Sequence, residues 1–260
     1  MTRYDTIEEV RKHSSEARTF YEILKYNENH DSLGRFSSSP GAAAGTSAGG
    51  KYQKLSHADA TAMAGEMGQN DIPKEEVDRM LDRSEGYFGT PNSFTINEKL
   101  RMNDPKRDEL AYSEEELKTI DTLDKNMKPS TRDVQLHRMI GDSFLDAMGI
   151  SDDISAQDYD EDGLKEMQKA VGKVYTNAGY TSTSFDMADN AFKHKKVQLN
   201  INAPKGTKML VSPDRWYDGE IAEAEILLAR GSAMKITAIR PRMWHGRISG
   251  IEVDCEVIVD

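Results

Sequence analysis

Ala222-Glu223-Ala224-Glu225-Ile226-Leu227-Leu228-Ala229-Arg230-Gly231-Ser232 is the stretch on which the reading of this chain turns. Two glutamates spaced two apart precede three large apolar residues, and a glycine closes the run. On a strand, both carboxylates project to one face. On a helix they lie about 200° apart and cannot act on one group. The Ala-Glu-Ala-Glu portion has good helix propensity. Against that, Ile226-Leu227-Leu228 ahead of Gly231 has the length of a buried strand, and Gly219 supplies a turn before it. The segment is expected to be extended, with Glu223 and Glu225 side by side. Alone, such a pair is most often solvated surface, and the same spacing at Glu114 and Glu116 reads as a helix exterior.

Two polar motifs upstream give the pair a context. Ser182-Thr183-Ser184 follows Gly179-Tyr180-Thr181, and a strand of small hydroxyl residues can hydrogen-bond both a ribose and a neighbouring carboxylate. Val134-Gln135-Leu136-His137-Arg138-Met139 alternates as a strand does and carries one arginine. A guanidinium at a strand end can grip a pyrophosphate through its forked donors. Taken singly, the first motif would be a turn or edge strand and the second a surface cation. In order, they offer a cation for a phosphate, hydroxyls for a sugar and a pair of carboxylates beside them.

The remainder of the chain reads as helices first and strands later. Tyr4 to Tyr26 is a polar, faintly amphipathic helix, and residues 37–50 hold only Ser, Pro, Gly, Ala and Thr, the composition of a flexible linker. From Lys51 to Lys128 the pattern is mostly helical. Ser113 and Glu116 form a capping box ahead of Leu117, Ile120 and Leu123, which are expected to share a buried face. Pro73 and the region 82–92 separate helices, and Leu164, Met167 and Val171 form a further helical stripe. Val197, Leu199 and Ile201 then alternate with polar residues, as does much of 248–259. The sum is an α+β chain.

Bulk composition removes several function classes. With 260 residues the chain can bury a sizeable core, and its net charge of -11 opposes nucleic acid and anionic membrane as partners. Cys255 is the single cysteine and reads as core, so neither an internal disulfide nor a thiolate metal cluster is expected. The six histidines lack metal-ligand spacing. Asp158 to Gly163 begins like a calcium loop, but Lys169 stands where the bidentate glutamate is needed. No metal is expected. No long apolar run and no signal-peptide pattern is present, so the chain reads as soluble.

From about Tyr87 onward the chain resembles mono-ADP-ribosyltransferases of the Arg/Ser-Thr-Ser/Glu-x-Glu class, which include actin-modifying clostridial toxins. The resemblance is carried by Leu136-His137-Arg138, Gly179 to Phe185, Asn190-Ala191-Phe192-Lys193-His194-Lys195, the 222–232 stretch, and the helical Thr95 to Arg101. It implies a helical N-terminal lobe packed on a mixed β-sandwich ADP-ribosyltransferase core over residues 51–260, behind an N-terminal helical segment 1–36 and the linker 37–50. It implies NAD as substrate, without a metal. Arg138 would bind the NAD phosphates, Ser182 with Thr183 would contact the nicotinamide ribose and orient Glu225, and Phe192 would stack on nicotinamide. Glu225 would hold the ribose hydroxyl and favour the oxocarbenium-like state.

Glu223 would position the acceptor, which points to a protein arginine, and Trp216 and Tyr217 would lie in the acceptor-recognition loop 212–222. Where the class often has a second phosphate-gripping arginine, this chain has Lys195, which keeps the charge but not the fork. His137 and Met139 are further departures. Water in place of the acceptor would make an NAD glycohydrolase of the same site. Asn29 to Phe36, with the tract behind it, resembles a segment common in bacteriophage head-associated proteins, which implies a phage or prophage origin and leaves an inactive structural protein of the same fold as an alternative.

Overall fold

The computed structural model describes residues 51–82, 84–88, 90, 92–102, 112–141, 161–186, 195–213, 224–244 and 247–259. The expected N-terminal helix, the linker, residues 158–160 of the calcium-like stretch and the acceptor loop (save Ser212 and Pro213) lie outside these residues, as do Glu223 and Phe192, while Glu161 to Gly163 open a helix.

The described residues hold five α-helices: α1 (His57–Glu66), α2 (Lys74–Leu81), α3 (Asn92–Met102), α4 (Glu114–Asn126) and α5 (Glu161–Gln168). Capping boxes start α1 at Ser56 with Asp59 and α4 at Ser113 with Glu116, the second as its spacing predicts. Ile120 and Leu123 of α4 are buried, but Leu117 is exposed, so the inward face also takes in Thr119, Thr122 and Asn126 rather than Leu117. Met167 of α5 is buried, whereas Val171 lies past the helix end and is exposed.

The described residues hold ten strands of one sheet, nine of them on a single hydrogen-bonded path. They are β1 (Gln53–Lys54), β2 (Lys128–Pro129), β3 (Val134–Ile140), β4 (Val174–Thr176), β5 (Thr181–Ser184), β6 (Val197–Ala203), β7 (Lys208–Val211), β8 (Glu225–Leu228), β9 (Ala233–Trp244) and β10 (Arg247–Val257). Their order is β2-β7-β8-β5-β3-β6-β10-β9-β4, with β1 beside β3. The β6–β10 and β1–β3 pairs are parallel and the others antiparallel, which makes the sheet mixed.

The path folds back so that its two parts face each other over one apolar core. Met209, Val211, Ile226 and Leu228 come from the β7–β8 part, and Leu136, Leu199, Ile201, Ile236, Val253 and Cys255 from the other. In β6, Val197, Leu199, Ile201 and Ala203 are buried and the residues between them half-buried, the period of two read from the sequence. Leu210 and Leu227 point the other way and join Val77, Met80, Ile96, Leu100, Ile120 and Leu123 in a second core under α2, α3 and α4. A buried Gln69 replaces a strand neighbour along β7, donating to Met209 O (2.9 Å) and accepting from Val211 N–H (3.2 Å). The helical lobe is therefore fastened to the strands that carry the candidate site.

Candidate functional site

Within residues 222–232, Glu225–Leu228 is a strand. Glu225 begins β8, pairs with Ser184 of β5, and its carbonyl accepts from Ser212 N–H at 3.1 Å. Three large apolar residues follow, and burying them on both faces fixes the register. With backbone partners on both sides, Glu225 is only 5% exposed.

Register also sorts the Ser-Thr-Ser motif. Ser182 pairs with Leu227 and Ser184 with Glu225, so these four residues lie on one face. Ser182 is thus the diagonal neighbour of Glu225. Its hydroxyl is buried without a hydrogen-bond partner, an orphan that a ligand hydroxyl could satisfy. Thr183 corrects the expectation of a cofactor contact. It faces the inner core, is 2% exposed, and donates its hydroxyl to Ile226 O at 2.5 Å. Its work is to tie β5 to β8. Ser184 closes a local turn with Asp186, donating to its carbonyl and accepting from its N–H.

Arg138 reaches this corner from β3, where it sits opposite Leu199, and its Nη1 donates to Ser182 O at 2.6 Å. Burial, then the nearby Arg101, pushes its guanidinium below the ordinary arginine range, while Tyr175, Tyr87 and Glu225 act in the opposite sense. It stays charged, since arginine cannot be deprotonated in proteins. Lys195 stands close to it, and burial together with Arg138 pulls its amine down to about 7.

The backbone beside Lys195 is set by Gly250, at a register shift in β10. A Cβ there would meet Lys196 O at 2.1 Å, which Ile251 N–H instead reaches at 2.8 Å. Arg242 donates to Lys195 O at 2.6 Å. His137, next to Arg138, points into a polar face where its Nδ1 meets Asn200 Oδ1 at 3.1 Å. Burial drives its pKa down, so it is neutral near pH 7.

The sequence reading gave no role to three residues here, two of them within the Thr95 to Arg101 stretch. Arg101, at the end of α3, lies near Arg138 and donates through Nε to Asn177 Oδ1 at 3.1 Å. Asn97, one turn earlier, is buried in the apolar stripe of the same helix. Tyr87 is buried in the core that takes in Leu227 of β8, and its hydroxyl accepts from Asn97 Nδ2 at 2.5 Å. Besides its place in that stretch, a polar residue inside an apolar helical stripe was a signal for Asn97. Among the described residues no cluster of His, Cys, Asp and Glu could hold a metal, and no helix is long and apolar enough to cross a membrane.

The geometry is a buried carboxylate, an unpartnered hydroxyl and a group of cations brought together by β3, β5, β8 and α3. The structure is similar to that of C3stau2 from S. aureus, solved with NAD (18% identity over 81% of this chain and 100% of that one, TM-score 0.58). It is also similar to the C3 exoenzyme of Clostridium limosum (17% identity, 80% and 97% covered, TM-score 0.58). The enzymatic component C2-I of the Clostridium botulinum C2 toxin matches at 21% identity over 79% of this chain and 47% of that one (TM-score 0.58). No curated protein sequence matches. A family model described as ADP-ribosyltransferase exoenzyme matches residues 81–257 and so spans β3, β5 and β8 together, and the chain belongs to that family of NAD-dependent mono-ADP-ribosyltransferases.

Proposed function

We propose that this protein cleaves NAD and transfers ADP-ribose to an arginine side chain of a protein acceptor. The observation that carries the reading is the convergence of Arg138, Ser182 and Glu225 on one buried corner. Arg138 holds the pyrophosphate, with Lys195 and Arg101 adding charge around it. Ser182 gives its hydroxyl to the nicotinamide ribose. The C–N bond between ribose and nicotinamide breaks, nicotinamide leaves with the electron pair, and positive charge develops at the ribose carbon and its ring oxygen. Glu225, an anion held in a poorly solvated place, stabilises that charge by preorganised electrostatics.

An arginine nitrogen of the acceptor then bonds to the ribose carbon and gives up its proton. Glu223, two residues ahead of Glu225, polarises that nitrogen. Phe192 stacks on nicotinamide, and Trp216 and Tyr217 belong to the surface that meets the acceptor. No metal takes part. Residues 51–260 form the catalytic domain, with 1–36 as a separate N-terminal segment and 37–50 as its linker.

Incubation with labelled NAD and a cell lysate tests the reading. Labelled protein, with the modification mapped to an arginine by mass spectrometry, is the expected product. Free ADP-ribose alone would make the protein a glycohydrolase. No turnover at all would leave a structural protein with this fold. Glu223→Gln separates the two half-reactions: arginine transfer should fall at least about tenfold while nicotinamide release stays within about threefold. Equal loss of both would remove Glu223 from acceptor recognition.

Lys195 gives the reaction a pH signature. Only its protonated form attracts pyrophosphate, and its amine titrates at about 7. Raising the pH from about 6 to 8.5 removes that charge from the free enzyme, so KM for NAD should rise, by up to about tenfold for one charge-assisted contact. Lys195→Arg should flatten the dependence. A wild-type KM that does not change across this range would place Lys195 outside the phosphate site.

A further inference from the structure

We infer that Arg242 is a positioning residue for the NAD site: its guanidinium clamps the segment bearing Lys195 to strand β3 beside Arg138, and so sets the spacing of the two cations. The inference rests on the assignment of Arg138 and Lys195 to NAD binding. Arg242 Nη2 donates to Lys195 O at 2.6 Å, and Nη1 donates to Met139 Sδ at 3.7 Å. Met139 directly follows Arg138. One half-buried side chain of β9 thus joins the two stretches of backbone that carry the cations, through a neutral carbonyl and a thioether.

Strand order makes this contact unusual. Strands β10 and β6 lie between β9 and β3, and neighbouring strands stand about 4.8 Å apart. A β9 side chain can therefore meet β3 only where the strands between them give way. Here they do. β6 begins at Val197, opposite Ile140 and Ile251, with Lys195 and Lys196 just ahead of it. Arg242 pairs with Gly250, at the register shift in β10. The bare Cα of Gly250 lets Lys196 O approach, and Ile251 N–H holds that carbonyl at 2.8 Å. Ser249 Oγ donates to Arg242 O at 3.1 Å and pins the backbone from which the arginine reaches. The next carbonyl along, that of Lys195, goes to the guanidinium. A lysine carries its charge on a flexible four-carbon stem, so fixing its backbone narrows the places the charge can occupy. It also lowers the ordering cost when the amine meets a phosphate.

Arg242→Met keeps a long apolar stem and removes both donors. The Kd for NAD, by calorimetry, should rise about fivefold to tenfold, with kcat for nicotinamide release within about twofold of wild type. In a Lys195→Met background the same substitution should weaken NAD by less than about twofold more, because the charge it positions is already gone. Fully multiplicative losses would show that Arg242 meets NAD directly, and an unchanged Kd in a folded Arg242→Met protein would remove it from the site. Either result overturns the inference.

The Ile251 amide supplies a readout that needs no NAD. Its hydrogen exchange in the free protein should quicken about tenfold in Arg242→Met, since Lys196 O, its acceptor, loses the neighbouring tether. Unchanged exchange would show that the arginine does not hold this segment, which also overturns the inference. Should the wild type bind no NAD, the functional reading fails, whereas exchange at Ile251 still decides whether the clamp exists.

Discussion

Replacing Glu225 by Gln is expected to reduce NAD cleavage at least about a thousandfold, which corresponds to roughly 4 kcal/mol of lost transition-state stabilisation. Glutamine has nearly the same shape, so the substitution removes charge and little else. Glu225 is 5% exposed, and its backbone partners on Ser184 and Ser212 do not depend on the side chain. In such a place water screens little, and an anion beside a developing cation is worth far more than it would be in solution. KM should change little, because the ground-state ribose carries no positive charge at the reacting carbon. Steady-state nicotinamide release, with a thermal melt to confirm the fold, is the measurement. Retention of activity within about tenfold of wild type would remove Glu225 from the chemistry.

Arg138→Ala should act on binding instead. The guanidinium donates to Ser182 O at 2.6 Å and has further donors left for a phosphate oxygen. Its loss should raise the Kd for NAD about a hundredfold or more, the scale of two charge-assisted hydrogen bonds, with a smaller fall in kcat. Arg138→Lys keeps the charge but not the fork, and should recover only part of that affinity, leaving a deficit of about tenfold. Stability should move less than affinity does. Removing the cation leaves Ser182 O unpaired, but it also relieves the repulsion from Arg101 and Lys195. Calorimetric titration of NAD decides the case. Unchanged affinity in the alanine variant would exclude Arg138 from the phosphate site.

Residues whose role is local were legible in the sequence. The alternation of Val197, Leu199 and Ile201 shows in burial along β6, and the Ser113–Glu116 capping box starts α4. Arg138 and Ser182 could be picked out because a strand with one charge, or with three hydroxyls, is locally odd. What failed locally was the choice of face. Leu117 and Val171 fit apolar stripes but stand exposed, because the helix surfaces that meet the sheet are set by tertiary packing and by where the helix ends. Thr183 looked like a partner of Ser182, yet the two-residue period of a strand turns it to the opposite side.

Arg101, Asn97 and Tyr87 were not legible as site residues. They arrive from a helix and an irregular turn about 30 to 50 residues ahead of β3, and only the packing of the helical lobe on the strands brings them to this corner.

Strand β8 lends Ile226 and Leu228 to the core between the sheets and Leu227 to the core beneath the helices, with Glu225 at its head. Melting either lobe would strip one side from the very strand that carries the carboxylate. On warming, activity is therefore expected to be lost in an all-or-none manner, copy by copy. Partial inactivation of a sample then counts dead molecules and does not report weakened ones.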